Sequence, residues 1–248
     1  MTAPAPKIVA MIPTYNEAEN IEPLIGELLA LPLAGSLYVL VADDDSPDGT
    51  AAIVGKLAEA DPRVHLLLRK NRRGRGSAGI DGFKAALALG ADYVVEMDGD
   101  FSHQPRFIPA LIAEMERCDV AIGSRFVRGG ADSDRSLVRR TITRLVRGFI
   151  GRRFRAPIRD VSSGFRCFSR GVLERLDLEA LVSGGPSIVL EILYKLSLLG
   201  ASIHELPIVF VDRRRGRTKL NGRTLLRTLR MALRFRKLYG PPPARRKA

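Results

Sequence analysis

Apolar residues in the first half of the chain come in short runs separated by stretches of helical spacing. Lys7 to Ile12 reads as a first strand, closed by Pro13-Thr14-Tyr15-Asn16-Glu17. Ile21, Leu24, Ile25, Leu28 and Leu29 then recur every three or four residues, which predicts an amphipathic helix over Glu17 to Leu31. A second strand, Leu37 to Ala42, ends in Asp43-Asp44-Asp45-Ser46-Pro47-Asp48-Gly49-Thr50. Ser46 reads as an N-cap with Pro47 at the first helical position, and the helix runs to about Ala60. Val64 to Leu68 is a third strand, followed by a basic glycine-rich loop, Arg69 to Gly76, and a helix over Gly79 to Leu89. Tyr93 to Met97, a helix over Pro105 to Arg117 and Val120 to Gly123 complete the series. Strand and helix alternating with short connections predict an α/β protein with a mostly parallel sheet covered on both faces.

The pattern changes after Arg125. Asp134 to Ile150 reads as a basic amphipathic helix, with Val138, Ile142, Leu145 and Phe149 on one side and Arg135, Arg139, Arg140, Arg144 and Arg147 around the other. The loop Asp160-Val161-Ser162-Ser163-Gly164-Phe165-Arg166 leads to a short strand and a helix. A helix over Ser187 to Leu199 and a strand over Ala201 to Val211 follow, then a basic loop, Asp212 to Lys219. A last helix, Arg223 to Tyr239, stops at Pro241-Pro242-Pro243. With no linker-like break, residues 1–220 read as one domain and 221–248 as a basic helical appendage.

Composition narrows the class. The 248 residues are 46% hydrophobic, as in a globular protein. No apolar run approaches the ~20 residues that span a bilayer, and Met1 to Pro13 carries no signal pattern. Cys118 and Cys167 form no disulfide framework or metal-ligand spacing, which fits a reducing cytosol. The net charge of +13 is unevenly spread: residues 1–120 hold 11 Lys and Arg against 18 Asp and Glu, and residues 121–248 hold 29 against 9. The second half therefore calls for an anionic partner, whether nucleic acid, phosphorylated substrate or acidic membrane. Without Trp and with few aromatics, stacking platforms for single-stranded nucleic acid are not evident.

The chemistry concentrates at strand ends. Asp98-Gly99-Asp100 closes the strand Tyr93 to Met97, and ionised carboxylates need water, a cation or donors. Ligands of open α/β sheets bind at the carboxyl ends of strands. Carboxylates placed there hold Mg²⁺ or Mn²⁺, which bridges the oxygens of a nucleotide diphosphate. One acidic strand end is commonplace, but Pro13 to Glu17, Asp43 to Asp45 and Asp98 to Asp100 put three along one edge. Gly74-Arg75-Gly76-Ser77-Ala78-Gly79 satisfies the Gly-x-Gly-x-x-Gly fingerprint of nicotinamide and flavin enzymes. It follows the third strand rather than the first, so close packing or phosphate approach is the better account of it. Arg213-Arg214-Arg215-Gly216-Arg217-Thr218-Lys219 has the make-up of a loop that folds over a diphosphate, or of a solvated charge run. In the last helix Arg223, Arg227, Arg230, Arg234 and Lys237 form a cationic stripe beside Leu225, Leu226, Leu229, Met231, Leu233 and Phe235. That arrangement suits an anionic membrane surface, core packing or a partner helix. His65, His103 and His204 stand isolated from any nucleophile or ligand spacing, and none reads as catalytic.

These motifs, with Gly123-Ser124-Arg125, Asp160 to Arg166 and Glu205 to Arg213, resemble the inverting family-2 glycosyltransferases with the GT-A (Rossmann-like) fold. Within them the chain is most similar, over about residues 7–220, to dolichol-phosphate (polyprenol-phosphate) mannose synthases. The resemblance implies GDP-mannose as donor and a polyprenyl monophosphate as acceptor. Pro13, Tyr15, Glu17, Ala42, Asp44 and Asp98 would then hold the nucleoside, Gly99 would touch the donor, and Asp100, with Ser102, would hold Mg²⁺ or Mn²⁺. Arg125 and Arg139 would grip the acceptor phosphate, while Arg213 and Lys219 would cover the donor diphosphate. The chain departs from the family at Ser102, where Gln is frequent, and at Asp45, where Gly or Asn is usual. Relatives often carry membrane-spanning helices after this domain. Here peripheral attachment on the cytoplasmic face of a membrane is expected through the last helix, with room for a separate membrane subunit beside it. A glucosyltransferase using UDP-glucose is the neighbouring alternative. An NAD(P)-dependent oxidoreductase and a nucleic-acid-binding protein are the alternatives of other classes.

Overall fold

The computed structural model describes residues 5–132, 147–154, 158–211 and 222–243. Its centre is a seven-stranded sheet. The amino-terminal half supplies β1 (Lys7–Thr14), β2 (Ser36–Asp43), β3 (Val64–Leu68), β4 (Tyr93–Glu96) and β5 (Val120–Ser124). They are connected by α1 (Ala18–Leu29), α2 (Thr50–Ala60), α3 (Arg75–Ala88) and α4 (Ile108–Glu114), the last preceded by a 3₁₀ turn, Pro105–Phe107. Next come a two-residue strand β6 (Ala131–Asp132), a helix α5 over 147–154, β7 (Arg166–Ser169) and α6 (Arg170–Arg175). The chain ends with α7 (Ile188–Leu198), β8 (Ile203–Pro207), β9 (Val209–Phe210) and α8 (Gly222–Tyr239).

The strand order is β3-β2-β1-β4-β7-β5-β8. All neighbouring pairs are parallel except those of β7, which runs antiparallel between β4 and β5. β6 and β9 pair in a separate two-stranded ribbon. Strands covered on both faces need apolar residues at every position, which is why β1 reads as a continuous run. Val9, Met11, Val94, Val120, Ile122 and Phe168 point to one face, where α3, α5, α6, α7 and α8 pack. Ile8, Ala10, Ile12, Val95, Met97, Ala121 and Cys167 point to the other, under α1, α2 and α4.

Several boundaries move. α2 begins at Thr50, with Gly49 as its N-cap at φ 92°, rather than at Pro47. Ser46 instead gives its backbone N–H and hydroxyl to Asp43, so its hydroxyl serves the turn and not a helix end. α3 begins at Arg75, so the last two residues of the expected loop, Arg75 and Gly76, belong to its first turn. The glycines there are packing devices: a Cβ at Gly76 would lie 2.0 Å from the Ser183 carbonyl, and one at Gly82 would lie 2.6 Å from Met11 Sδ. The single strand expected over Ala201 to Val211 is two. Pro207 ends β8, and after Ile208 the chain pairs with β6 instead.

The expected helix Asp134 to Ile150 is described only from 147, and it continues to 154. α8 is fastened to the main core. Phe235 is fully buried against Phe154 and Tyr194, and Ala232 is buried beside it. The apolar residues expected to form one face are thus divided, with Leu226 and Leu233 about half exposed.

Candidate active site at the carboxyl edge of the sheet

Parallel register sets the ends of β2, β1 and β4 side by side. Pro13 is opposite Ala42 and Thr14 opposite Asp43, while Met11 is opposite Glu96. The three aspartates of the second motif take three different roles. Asp43 is fully buried and accepts from Thr14 Oγ1 at 2.7 Å, Ser46 N at 2.8 Å and Ser46 Oγ at 2.7 Å, so it binds the two strand ends together. Asp44 turns the other way, forming an ion pair with Arg69 and accepting from Gly74 N at 2.8 Å. Asp45 is exposed in the left-handed region, at φ 55°.

The turn after β1 is stitched onto the turn after β2. Asn16 N donates to Ser46 Oγ, Glu17 N to Thr50 Oγ1 and Ala18 N to Asp48 Oδ2, each at 3.0 Å. Glu17 also accepts from Asn20 Nδ2 at 3.0 Å, and the half-buried Tyr15 ring lies 4.7 Å from the Arg73 guanidinium. Ala42 is wholly buried, so it lines the site from behind rather than offering surface. Gly99 sits where a Cβ would meet Thr14 Cγ2 at 3.3 Å and Ile12 Cγ2 at 3.4 Å. Its smallness therefore lets the third motif lie against β1, in addition to any approach by a ligand.

At the end of β4 the acidic groups gather around one guanidinium. Arg75, on the first turn of α3, donates from Nη2 to Asp98 Oδ1 at 2.7 Å, and its Nη1 is 4.0 Å from Glu96 Oε1. Burial works against the Arg75 charge, but Asp98, Glu96 and Asp100 together outweigh it and raise its pKa. Burial also dominates at Glu96, whose pKa is raised despite the opposing fields of Arg75 and Arg166. Asp100 is buried and accepts from Ser102 N at 3.1 Å and Ser102 Oγ at 2.6 Å. Asp98 N donates to His103 Nδ1 at 3.0 Å, and the His103 ring stacks on Phe165 with centroids 5.1 Å apart. Burial lowers the His103 pKa, and with Nδ1 accepting, the neutral ring carries its proton on Nε2. His103 is a structural post, as a histidine without a partner nucleophile should be.

The third side of the site is the loop 160–165. Arg125, at the end of β5, donates from Nε to Asp160 Oδ2 at 2.7 Å, from Nη2 to Asp160 Oδ1 at 2.8 Å and from its backbone N to Asp160 Oδ2 at 3.1 Å. Its Nη2 also reaches Ser162 Oγ at 2.8 Å. Both partners are buried, and the Arg125 side chain is turned inward to this loop. The expected phosphate grip of Arg125 thus starts from a guanidinium already engaged through Nε and Nη2. Glu205 accepts from Arg159 N and Asp160 N at 2.7 and 2.8 Å and fastens the loop to β8. Arg139, Arg213 and Lys219 lie outside the described residues.

The structure therefore brings together Pro13, Tyr15, Glu17, Ala42, Asp44, Asp98, Gly99, Asp100, Ser102 and, across the loop, Arg125. It adds Arg69, Arg75 and Asp160. Arg69 is buried, with Nε 2.9 Å from Asp81 Oδ2 and Nη2 2.8 Å from Ser77 Oγ. Arg69 and Arg75 are the ends of a run of five cations, where nothing in the spacing separates inward from solvated residues. Asp98, Asp100 and the Ser102 hydroxyl are hard oxygen donors, which fit Mg²⁺ or Mn²⁺. Among the described residues no three His, Cys, Asp or Glu side chains form a ready cation site. A divalent ion here would need further oxygens from a ligand, as Mg²⁺ bound with phosphates does.

Residues 9–177 match the model of glycosyl transferase family 2. The chain is similar to the polyprenol monophosphomannose synthase of Mycolicibacterium smegmatis, at 37% identity over 88% of this chain and 83% of that one. It is similar also to the undecaprenyl-phosphate mannosyltransferase of Micrococcus luteus, at 36% identity over 87% and 88%. Among solved structures it superposes on a mannosyltransferase from Pyrobaculum calidifontis in complex with GDP-Man and Mn²⁺, with a TM-score of 0.62, 20% identity and coverage of 96% of this chain and 66% of that one. The sheet with its flanking helices is thus the GT-A fold, and the chain belongs to glycosyl transferase family 2.

Proposed function

We propose that the protein transfers mannose from GDP-mannose to a polyprenyl monophosphate, with inversion at the sugar carbon. The observation that carries the site assignment is the convergence of Asp98, Asp100 and Ser102 at the end of β4 with Asp44 and Glu17 from the neighbouring strand ends. The acceptor class rests on the relatives named for polyprenol and undecaprenyl phosphate. Pro13, Tyr15, Glu17, Ala42, Asp44 and Asp98 then belong to the nucleoside side, with Gly99 beside the donor. Asp100 and Ser102 would hold Mg²⁺ or Mn²⁺, which when bound would supply positive charge against the leaving nucleotide diphosphate. Arg213 and Lys219 add to that charge, and Arg139 and Arg125 belong to the acceptor side. A phosphate monoester is already anionic near neutral pH, so it attacks without a general base. A site with a neutral, structurally engaged His103 and many cations matches that chemistry: positioning and charge stabilisation carry the rate.

The acceptor is a membrane lipid, and α8 is the surface proposed to meet the bilayer at its cytoplasmic face. Leu226, Leu233 and Leu238 are about half exposed, and Arg227, Arg230, Arg234 and Lys237 are exposed among them. Among the described residues no helix is long and apolar enough to cross a membrane. Apolar side chains interleaved with cations suit a helix lying in an anionic interface.

Transfer of radiolabelled mannose from GDP-mannose to polyprenyl phosphate in detergent, with Mg²⁺ or Mn²⁺, tests the reading. Label should enter the lipid with wild type and fall by more than about a hundredfold in Asp100→Asn. Transfer from UDP-glucose in place of GDP-mannose would replace the donor. Failure with both donors would refute the lipid acceptor.

A further inference from the structure

Arg75 is a firmly placed cation of this edge to which neither motif nor resemblance gives a role. Its guanidinium bonds Asp98 at 2.7 Å and lies among Glu96, Asp98 and Asp100, the last being the proposed metal ligand. The place is built for it on three sides. Gly74, at φ 144°, caps α3, and the first turn is held by Gly76 N donating to Gly184 O at 3.1 Å. Opposite, Gly164 has no Cβ where one would sit 2.5 Å from Arg75 Nη2. A side chain there would force the guanidinium to shift from its place beside Asp98. The glycine of the 160–165 loop is thus matched to an arginine 89 positions earlier, and the side chain is only 27% exposed.

We propose that Arg75 is a resident cation of the donor site: it occupies the carboxylate cluster before a metal arrives, so that the divalent ion enters together with the nucleotide diphosphate rather than ahead of it. The inference rests on the donor and metal reading above. Its logic is charge. A guanidinium beside Asp98 and Asp100 repels a lone divalent ion from those carboxylates. The same positive charge attracts a diphosphate. Once phosphate oxygens complete the coordination of the metal, they also offset the repulsion. Arg75 is therefore a positioning residue that sets the order of assembly, and the bond-making atoms do not touch it.

The test is Mn²⁺ binding followed by electron paramagnetic resonance of the free ion, with GDP binding by calorimetry in chelator. Wild type should bind Mn²⁺ weakly alone and at least about tenfold more tightly with GDP present. Arg75→Met should bind Mn²⁺ alone about tenfold more tightly than wild type and bind metal-free GDP several-fold more weakly. Arg75→Lys should restore both towards wild type. Gly164→Ala, which displaces the guanidinium without removing it, should shift both affinities in the direction of Arg75→Met. Opposite signs for metal and nucleotide distinguish this role from simple structural damage, which would weaken both. Equal Mn²⁺ affinity with and without GDP in wild type, or no gain of Mn²⁺ affinity in folded Arg75→Met or Gly164→Ala, would overturn it. Wild type that binds neither GDP nor Mn²⁺ with GDP would instead refute the donor reading on which it stands.

Discussion

Replacing Asp160 by Asn tests whether the buried pair with Arg125 organises the acceptor side. Asp160 is fully buried and Arg125 is 7% exposed, so solvent screens the pair little. At the 2.7 Å separation of Nε and Oδ2, the attraction is about 6 kcal/mol for an effective dielectric of about 20, before the desolvation of both charges is subtracted. Asn keeps the shape but removes the charge, leaving a buried guanidinium without its counter-ion. Breaking such a pair costs about 3–5 kcal/mol. For a chain of this size that is a fall in melting temperature of about 10 °C, read by circular dichroism. The double variant Arg125→Met with Asp160→Asn should recover part of the loss, because it leaves no lone charge. The pH dependence has a definite sign. Burial alone would raise the Asp160 pKa, but the hydrogen bonds and charge of Arg125 outweigh it and hold the carboxyl below its usual range. A depressed folded pKa gives stability that is fully present above the ordinary carboxylate value of about 4 and lost as pH falls through the folded value. The gap between wild type and Asp160→Asn should therefore be constant from pH 5 to 8 and close only in acid. A loss under about 1 kcal/mol at neutral pH, or a gap that closes above pH 5, would refute the reasoning.

Two further outcomes concern α8. Phe235→Ala should cost about 3–5 kcal/mol by thermal denaturation, because the ring is fully buried against Phe154 and Tyr194; a loss below about 1 kcal/mol would mean that the helix is not part of the core. Leu233→Glu, at a position 48% exposed, should leave stability within about 0.5 kcal/mol. The same change should reduce co-sedimentation with anionic phospholipid vesicles several-fold, and unchanged sedimentation would remove this face from the membrane contact.

Much of this architecture was legible because parallel strands buried on both faces must be apolar throughout. β1, β2, β3, β4 and β5 could each be read within one or two residues, and with them the edge at which their polar ends meet. Side-chain roles within that edge were less legible. Asp43, Asp44 and Asp45 are chemically identical, and only the neighbours that folding supplies (Thr14 and Ser46 for the first, Arg69 for the second, solvent for the third) separate a fastening from a ligand-facing group. Gly74 and Gly76 resembled a loop because local propensity penalises glycine in helices. The reason that Gly76 opens α3, with Gly74 as its N-cap, lies over a hundred residues away, at Ser183 and Gly184. The antiparallel insertion of β7 likewise had no local mark. Its Arg166, wholly buried with a pKa lowered by burial to about 10, faces Glu96 across the strand pair, a pairing that only the sheet order reveals.

The support of Arg75 can be traced outward to the far end of the chain, and that trace is testable. The 182–185 segment, against which Gly74 and Gly76 pack, has its own backbone fixed by Glu191 of α7, which accepts from Val182 N at 2.9 Å and Ser183 N at 2.8 Å. Glu191 is fully buried and also accepts from the Tyr239 hydroxyl on α8, whose oxygen lies 2.9 Å from Ala180 O. A carboxylate can accept all three bonds because it has two oxygens and no donor. The amide of Glu191→Gln has one oxygen and an NH₂ group, so at least one backbone N–H of the segment loses its acceptor while remaining buried. The cost should be about 1–3 kcal/mol. Its location should be specific: amide exchange should accelerate at Val182 and Ser183, and at Gly76, whose N–H donates to Gly184 O, while β1 and β2 amides keep their protection relative to global stability. Exchange that rises uniformly, or a Gly76 amide that does not respond, would show that the first turn of α3 stands without this buttress.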